Sequence, residues 1–392
     1  MKYRPDKYGV PISQLGFGCM RFTRKGAGID YARASGEIML AVEQGVNYFD
    51  TAYIYPGSEE LLGRVLEENR CRGKVYIATK LPQYLMRTEK AVEKTFREQL
   101  ARLRTGHIDY YLMHMFTDPA EWERLRALGI EDWIAARKAE GSIRNLGFSF
   151  HGDTESFLKI LDAWDWDFCQ IQYNYLDEHS QAGRRGLKAA AEKGIPVIIM
   201  EPLRGGKLVR LPERARNALR ASGTGFTPAE LGLRWLWDQK EVTCVLSGMN
   251  SAEMVEENIR IASDAEAGRF TEREFALVER VRRLIREKEK VGCTACRYCM
   301  PCPKGVDIPG NFYFYNLMYL ERKGPARMEF AQNLGLRHDP GFAAQCVGCG
   351  KCEAHCPQHI PIREMLKRAD RELRPLPYKI GIGAARKIMG RK

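Results

Sequence analysis

Eight short apolar runs alternate with amphipathic stretches between Gln14 and about residue 250. They are QLGFG (14–18), YFDTA (48–52), KVYIATKL (74–81), HIDYYLMH (107–114), IRNLGFSF (143–150), FCQIQYN (168–174), PVIIMEPL (196–203) and VTCVLSGM (242–249). Apolar positions within each run follow one another instead of alternating with polar ones, and β-branched and aromatic residues dominate. Strands of a parallel sheet buried on both faces read this way. Helical patterns fill the gaps, such as EELLGRVLEEN after Ser58 and EKAVEKTFREQLARL after Thr88. Ser58 and Thr88 are the expected N-caps, with acidic residues following in each first turn. Eight strand–helix units over about 250 residues predict an α/β fold, a (β/α)8 barrel. The rival, an open doubly wound sheet, would carry GxGxxG after a strand, and none is present.

The segment 271–290 reads as a charged amphipathic helix, and beyond it the composition turns abruptly to Cys, Pro and Gly. Residues 310–335 have a helical, aromatic pattern. The expected organisation is a barrel over 1–285, a small cysteine domain over 286–365 and a basic, loosely docked tail over 366–392. The tail has nine Lys/Arg against Asp370 and Glu372, so it holds +7 of the chain's +12 formal charge.

Eight of the twelve cysteines fall between Cys293 and Cys356, while Cys19, Cys71, Cys169 and Cys244 lie singly in apolar segments and are expected to be packed thiols. The first group is Cys293, Cys296, Cys299 and Cys302, followed by Pro303; the second is Cys346, Cys349, Cys352 and Cys356, followed by Pro357. The second group has the C-x2-C-x2-C-x3-C-P spacing of bacterial ferredoxins, and the first is one residue shorter before its last Cys. The resemblance implies two [4Fe–4S] clusters with crosswise ligation. One would use Cys293, Cys296, Cys299 and Cys356, the other Cys346, Cys349, Cys352 and Cys302. Zinc is the alternative, since C-x2-C pairs bind it, but three cysteines at that spacing ending in C-P fit zinc poorly. Two clusters, each about −2 with its thiolates, would also offset part of the positive charge.

The barrel runs resemble the aldo-keto reductase family over about residues 10–265. The motifs that carry the likeness are GVNYFDTAYIY (45–55), GSEELLGRVL, ATK (78–80), IDYYLMH (108–114), GFS (147–149), QIQYN (170–174) and EPLRGGKL (201–208), in that order. Each polar residue falls at or beyond a strand's C-terminal end, where barrels keep their active sites. The resemblance implies a catalytic tetrad of Asp50, Tyr55, Lys80 and His114. Carbonyl reduction needs hydride at carbon and a proton at oxygen. Tyr55 would supply the proton, Lys80 would lower its phenol pKa, Asp50 would hold the lysine, and His114 would bond the carbonyl oxygen. Tyr53 competes with Tyr55 for the role, and His114 also reads as a satisfied core histidine.

The same resemblance implies cofactor contacts. Ser149 and Gln170 would hold a nicotinamide carboxamide, and the loop with Pro202, Leu203, Gly205 and Lys207 a pyrophosphate. Ser247, Gly248, Glu257 and Asn258 would lie along the remainder. Phe150 replaces the usual Asn, Met200 stands where an aromatic normally stacks, and the customary 2′-phosphate cations are missing. The expected cofactor is NADP(H) or NAD(H), with room left for a flavin.

Composition adds little: 44% hydrophobic and 29% charged residues suit a globular protein. The N-terminal stretch has no apolar core and no run of about 18 apolar residues occurs, so the expected location is the cytoplasm, without a membrane span. The expected function is an oxidoreductase acting on a small carbonyl compound or its alcohol. Hydride moves two electrons and each cluster one, so two alternatives stand beside it. One is a flavin-dependent oxidoreductase fed by the clusters, with a ferredoxin or other redox protein as partner. The other is a redox-responsive binding protein. Nucleic-acid binding is not expected, because the basic tail lacks a recognition motif.

Overall fold

The computed structural model describes residues 1–390 except Ala27, Thr294, Cys296, Tyr298 and Pro357. The chain forms two compact units, Met1–Glu178 with Ala182–Val278, and His179–Gln181 with Glu279–Lys392. They divide within the helix Glu272–Arg286, seven residues ahead of the boundary expected at 285.

In the first unit eight parallel strands close into a barrel in sequential order. They are β1 (Leu15–Gly18), β2 (Tyr48–Asp50), β3 (Tyr76–Leu81), β4 (Ile108–Phe116), β5 (Ile143–Phe150), β6 (Phe168–Gln172), β7 (Val197–Met200) and β8 (Val242–Ser247). All eight apolar runs of the sequence became barrel strands. Thr88 caps the helix Glu89–Arg102 by accepting from the Ala91 N–H. Ser58 does not cap: it is the first residue of the helix Ser58–Glu68, and Gly57, left-handed at φ 77°, holds the N-cap position. The Ser58 hydroxyl is engaged instead by the Cys19 carbonyl and Thr51, tying the β2 loop to β1.

Strand periodicity sets out the interior. Tyr48, Ala78, Tyr110, Leu112, Phe168, Ile198, Cys244 and Leu246 form one buried cluster inside the barrel, joined by Ile12 of the N-terminal hairpin. Gly16 belongs to this layer by necessity, since a Cβ there would stand 2.7 Å from Leu246 and 2.8 Å from Cys244. Side chains two residues apart share a strand face. Asp50 follows Tyr48, Lys80 follows Ala78, His114 follows Leu112 and Gln170 follows Phe168. The polar residues therefore stand one layer above an apolar floor, toward the C-terminal mouth.

In the second unit every described element is helical: Ile308–Leu320, Lys323–Phe330 and its wider continuation to Gly335, Ile362–Leu373 and Leu376–Ile388 among them. The stretch expected as a loose tail is mostly helix, and Leu366, Ala369, Leu373 and Ile382 are buried in this unit's core with Phe312, Leu317 and Leu334. The cationic residues hid an apolar stripe at i, i+3 and i+7. No helix among the described residues is long and apolar enough to cross a membrane.

Candidate active site and cysteine centres

The barrel mouth gathers the four residues that the first-unit motifs singled out. Lys80 on β3 is 1% exposed, and its Nζ donates to both carboxylate oxygens of Asp50, at 2.6 and 2.7 Å, and to the Thr51 carbonyl at 2.7 Å. Behind it, Gln99 donates to the Lys80 carbonyl, to the Thr79 hydroxyl and to Glu59, a buried carboxylate that also accepts from Thr79 at 2.6 Å. The three donors of the Lys80 ammonium are thus all engaged, two by Asp50 and one by the Thr51 carbonyl.

Tyr55 lies in the loop after β2, with the Lys80 Nζ 5.3 Å from its ring centroid and the His114 ring edge-on at 6.2 Å. Tyr53 is directed elsewhere. Its hydroxyl donates to Glu98 at 2.9 Å, and the Arg102 guanidinium stacks on its ring. Of the two tyrosines, only Tyr55 joins Lys80 and His114.

Electrostatics differ from the expectation that Lys80 lowers the Tyr55 pKa. Burial pushes the phenol well above its usual range, Asp50, Glu201 and Cys19 add to that, and Arg21 opposes it. The physical reason is burial, which disfavours the charged phenolate whatever ions stand nearby. Burial likewise raises the Asp50 carboxyl, with the Lys80 contact opposing it. Tyr55 therefore holds its proton at neutral pH.

His114 sits where β4 breaks register with β5, between Met113 and Phe116. Met115, at φ 59°, forms the irregularity and donates its N–H to the Ser149 hydroxyl at 2.8 Å. The buried His114 Nδ1 has no hydrogen-bond partner among the described residues. Burial, then Lys80 and His151, hold its pKa well below the usual value, so the ring is neutral. A sign follows for stability. The unfolded chain's histidine takes up a proton below about pH 6.5 and the folded one does not. Acidification should thus destabilise the barrel, with His114 contributing up to about 1.4 kcal/mol per pH unit. Urea unfolding at pH 6.5 and 5.5 should give a smaller difference for His114→Asn than for wild type.

The residues expected to contact a cofactor lie at or beyond the C-terminal ends of β5 to β8. Gln170 pairs in register with Ser149; its Nε2 reaches the Met200 sulfur at 3.6 Å, and its buried Oε1 is unpartnered among the described residues. An unbonded amide acceptor beside a serine fits a carboxamide. In the 201–208 loop Pro202 and Leu203 are buried, Glu201, Arg204, Gly205 and Gly206 all have positive φ, and the Arg204 and Gly206 N–H groups close turns onto the Glu201 and Leu203 carbonyls. Ser247 and Asn258 bond each other at 2.9 Å, next to the exposed Gly248, while Glu257 accepts from Thr227. Sequence reasoning passed over Arg21 and Glu201. The only available signal was position, each lying just past a strand's C-terminal end.

In the second unit two cavities carry cysteines. One of about 270 Å3 is lined by Cys302, Cys346, Cys349 and Cys352, with Cys299. A smaller one of about 20 Å3 is lined by Cys293, Cys299 and Cys356. Each draws on both sequence groups. Cys296 lies outside the described residues. The seven described cysteines give this unit an all-sulfur donor set, which suits iron–sulfur ligation. Two buried asparagines on the helix Ile308–Leu320 fix the approach to each group. The Asn316 carboxamide bonds the backbone of Lys290 and Val291 ahead of Cys293, and Asn311 bonds Gly341 and Ala343 ahead of Cys346.

Comparison with known proteins gives a family match for each of the two units. The Aldo/keto reductase family profile matches residues 14–283, and the profile of a 4Fe-4S dicluster domain matches 292–360. An uncharacterized oxidoreductase of Bacillus subtilis, YqkF, is 25% identical over 307 residues, 69% of this chain and 92% of its own. An aldo-keto reductase of Mycolicibacterium vanbaalenii is 28% identical over 65% of this chain and 84% of its own. Among solved structures, aldo-keto reductase AKR11C1 from Bacillus halodurans in its holo form has a TM-score of 0.59 at 26% identity, covering 72% of this chain and 96% of its own. With a profile match across most of its length and the closed eight-stranded barrel, the chain belongs to the Aldo/keto reductase family, as an oxidoreductase that adds a 4Fe-4S domain after its barrel.

Proposed function

We propose that the barrel reduces an aldehyde or ketone, or oxidises the matching alcohol, with NADP(H) or NAD(H), and that the second unit holds two [4Fe–4S] clusters. The observation that carries the first part is the Lys80 ammonium locked onto Asp50 beside Tyr55, whose pKa burial raises, and a neutral His114 whose Nδ1 is unpartnered among the described residues. A nicotinamide would supply hydride to the carbonyl carbon. Tyr55 gives its proton to the carbonyl oxygen as negative charge develops there. His114, neutral and without a hydrogen bond at Nδ1, is free to orient that oxygen from the other side. Gln170 and Ser149 would hold the carboxamide, and the 202–207 loop the pyrophosphate. The closed barrel floor under Lys80 excludes water from the pair that positions the acid.

Two assays test the proposal on anaerobically purified protein. Iron analysis should return about eight atoms per chain, two four-iron centres. NADPH or NADH should be consumed in equal amount to a generic aldehyde. Iron near half that value would reduce the second unit to one cluster. Aldehyde left intact under both cofactors would remove the carbonyl-reductase reading.

A further inference from the structure

We infer that the face of the second unit around the larger cysteine cavity is the docking site for an acidic protein that carries single electrons. The inference rests on the reading of the cysteines as iron–sulfur ligands. The two cavities differ in surroundings. The smaller is walled mainly by Ile308, Pro309, Phe312, Ile360 and Ile362, with Arg297 and the exposed Gln358 at its edge. The larger opens between Val347, which is 62% exposed, and Cys349, itself exposed. Electrons would enter where the ligand shell reaches the surface.

The charged side chains that line that opening are cationic, Lys304, Lys351 and Arg363, with no Asp or Glu among the lining residues. Arg363 is engaged by Glu353 at 2.8 Å. Lys304 and Lys351 are exposed and have no carboxylate within ion-pair distance among the described residues. Cations could equally serve to offset the thiolates' negative charge. That role does not require them to be exposed, and it does not account for an exposed valine among them. An apolar centre with a cationic rim is the anatomy of a charge-steered, short-lived protein interface. In each encounter the carrier would be oxidised by one electron and the centre in this chain reduced by one.

The test uses the full chain with its iron loaded, and a purified acidic bacterial two-cluster ferredoxin as the probe. Calorimetric titration should give a Kd that weakens at least about tenfold between about 0.01 and 0.15 M ionic strength, as the Debye length falls from about 30 to about 8 Å. Lys304→Glu/Lys351→Glu should weaken the low-salt Kd at least about tenfold, and Lys304→Gln/Lys351→Gln by less, with iron content and visible absorption unchanged in both. An unaltered Kd in the charge-reversed protein, with its iron retained, overturns the docking face and leaves the cluster reading standing. Wild-type protein that takes up no iron overturns both.

Discussion

Tyr55→Phe should lower kcat for reduction of a generic aldehyde by about 10^2- to 10^4-fold, the usual worth of a positioned proton donor. Cofactor affinity, measured by fluorescence titration, should stay at the wild-type value, because the ring remains and only the hydroxyl is lost. Tyr53→Phe serves as the paired control. That hydroxyl is bonded to Glu98, away from Lys80 and His114, so its removal should leave turnover near wild type. The pH profile carries a second signature. Reduction needs the phenol protonated, and burial pushes its pKa above the ordinary value near 10. The reductive rate should therefore show no loss from Tyr55 ionisation up to about pH 10. Wild-type turnover in Tyr55→Phe would remove Tyr55 as the acid.

Lys80→Met should be the most damaging single change to stability in the barrel mouth. The side chains of Lys80 and Asp50 are 1% and 6% exposed, so removing the ammonium strands a carboxylate in the interior. Breaking one partner of such a pair costs about 3–5 kcal/mol. The Thr51 carbonyl also loses its donor. Burial already raises the Asp50 pKa, and without Lys80 nothing opposes that shift. The folded variant then binds a proton more tightly than the unfolded chain does, so its penalty should shrink as pH falls. Asp50→Leu combined with Lys80→Met should recover most of the stability without recovering turnover, separating the pair's structural cost from its positioning of Tyr55. Denaturant melts across pH would read both effects. Equal stability of Lys80→Met and wild type at neutral pH would refute the argument.

The barrel was legible because strands buried on both faces cannot disguise themselves: each apolar run is a strand, and the residue two places past its interior position is the polar one. Other features had no linear signal. The register break at Met115 depends on how β4 meets β5. The separation of Tyr53 from Tyr55 depends on a helix forty residues on, which offers Glu98 to one and not the other. The weight of burial at Tyr55 was not legible, because sequence names the charges around a phenol but not how deeply it is buried. The C-terminal helices were read as tail because cations outnumber the stripe formed by Leu366, Ala369 and Leu373. Asn311 and Asn316 were invisible as clamps, since an asparagine's importance lies in which backbone it meets.

The mixing of both cysteine groups in each cavity also fixes the order of events during synthesis. A ribosome releases the first group long before Cys356, so a nascent chain that has just exposed Cys293 and Cys299 has not yet made the residue that shares their cavity. The barrel is by then fully emerged, and its strands need nothing from downstream to pair. Assembly of the proposed clusters would therefore finish only after the second group has been made. A chain halted between the two groups would carry the first group's thiols without the residues that share their cavities.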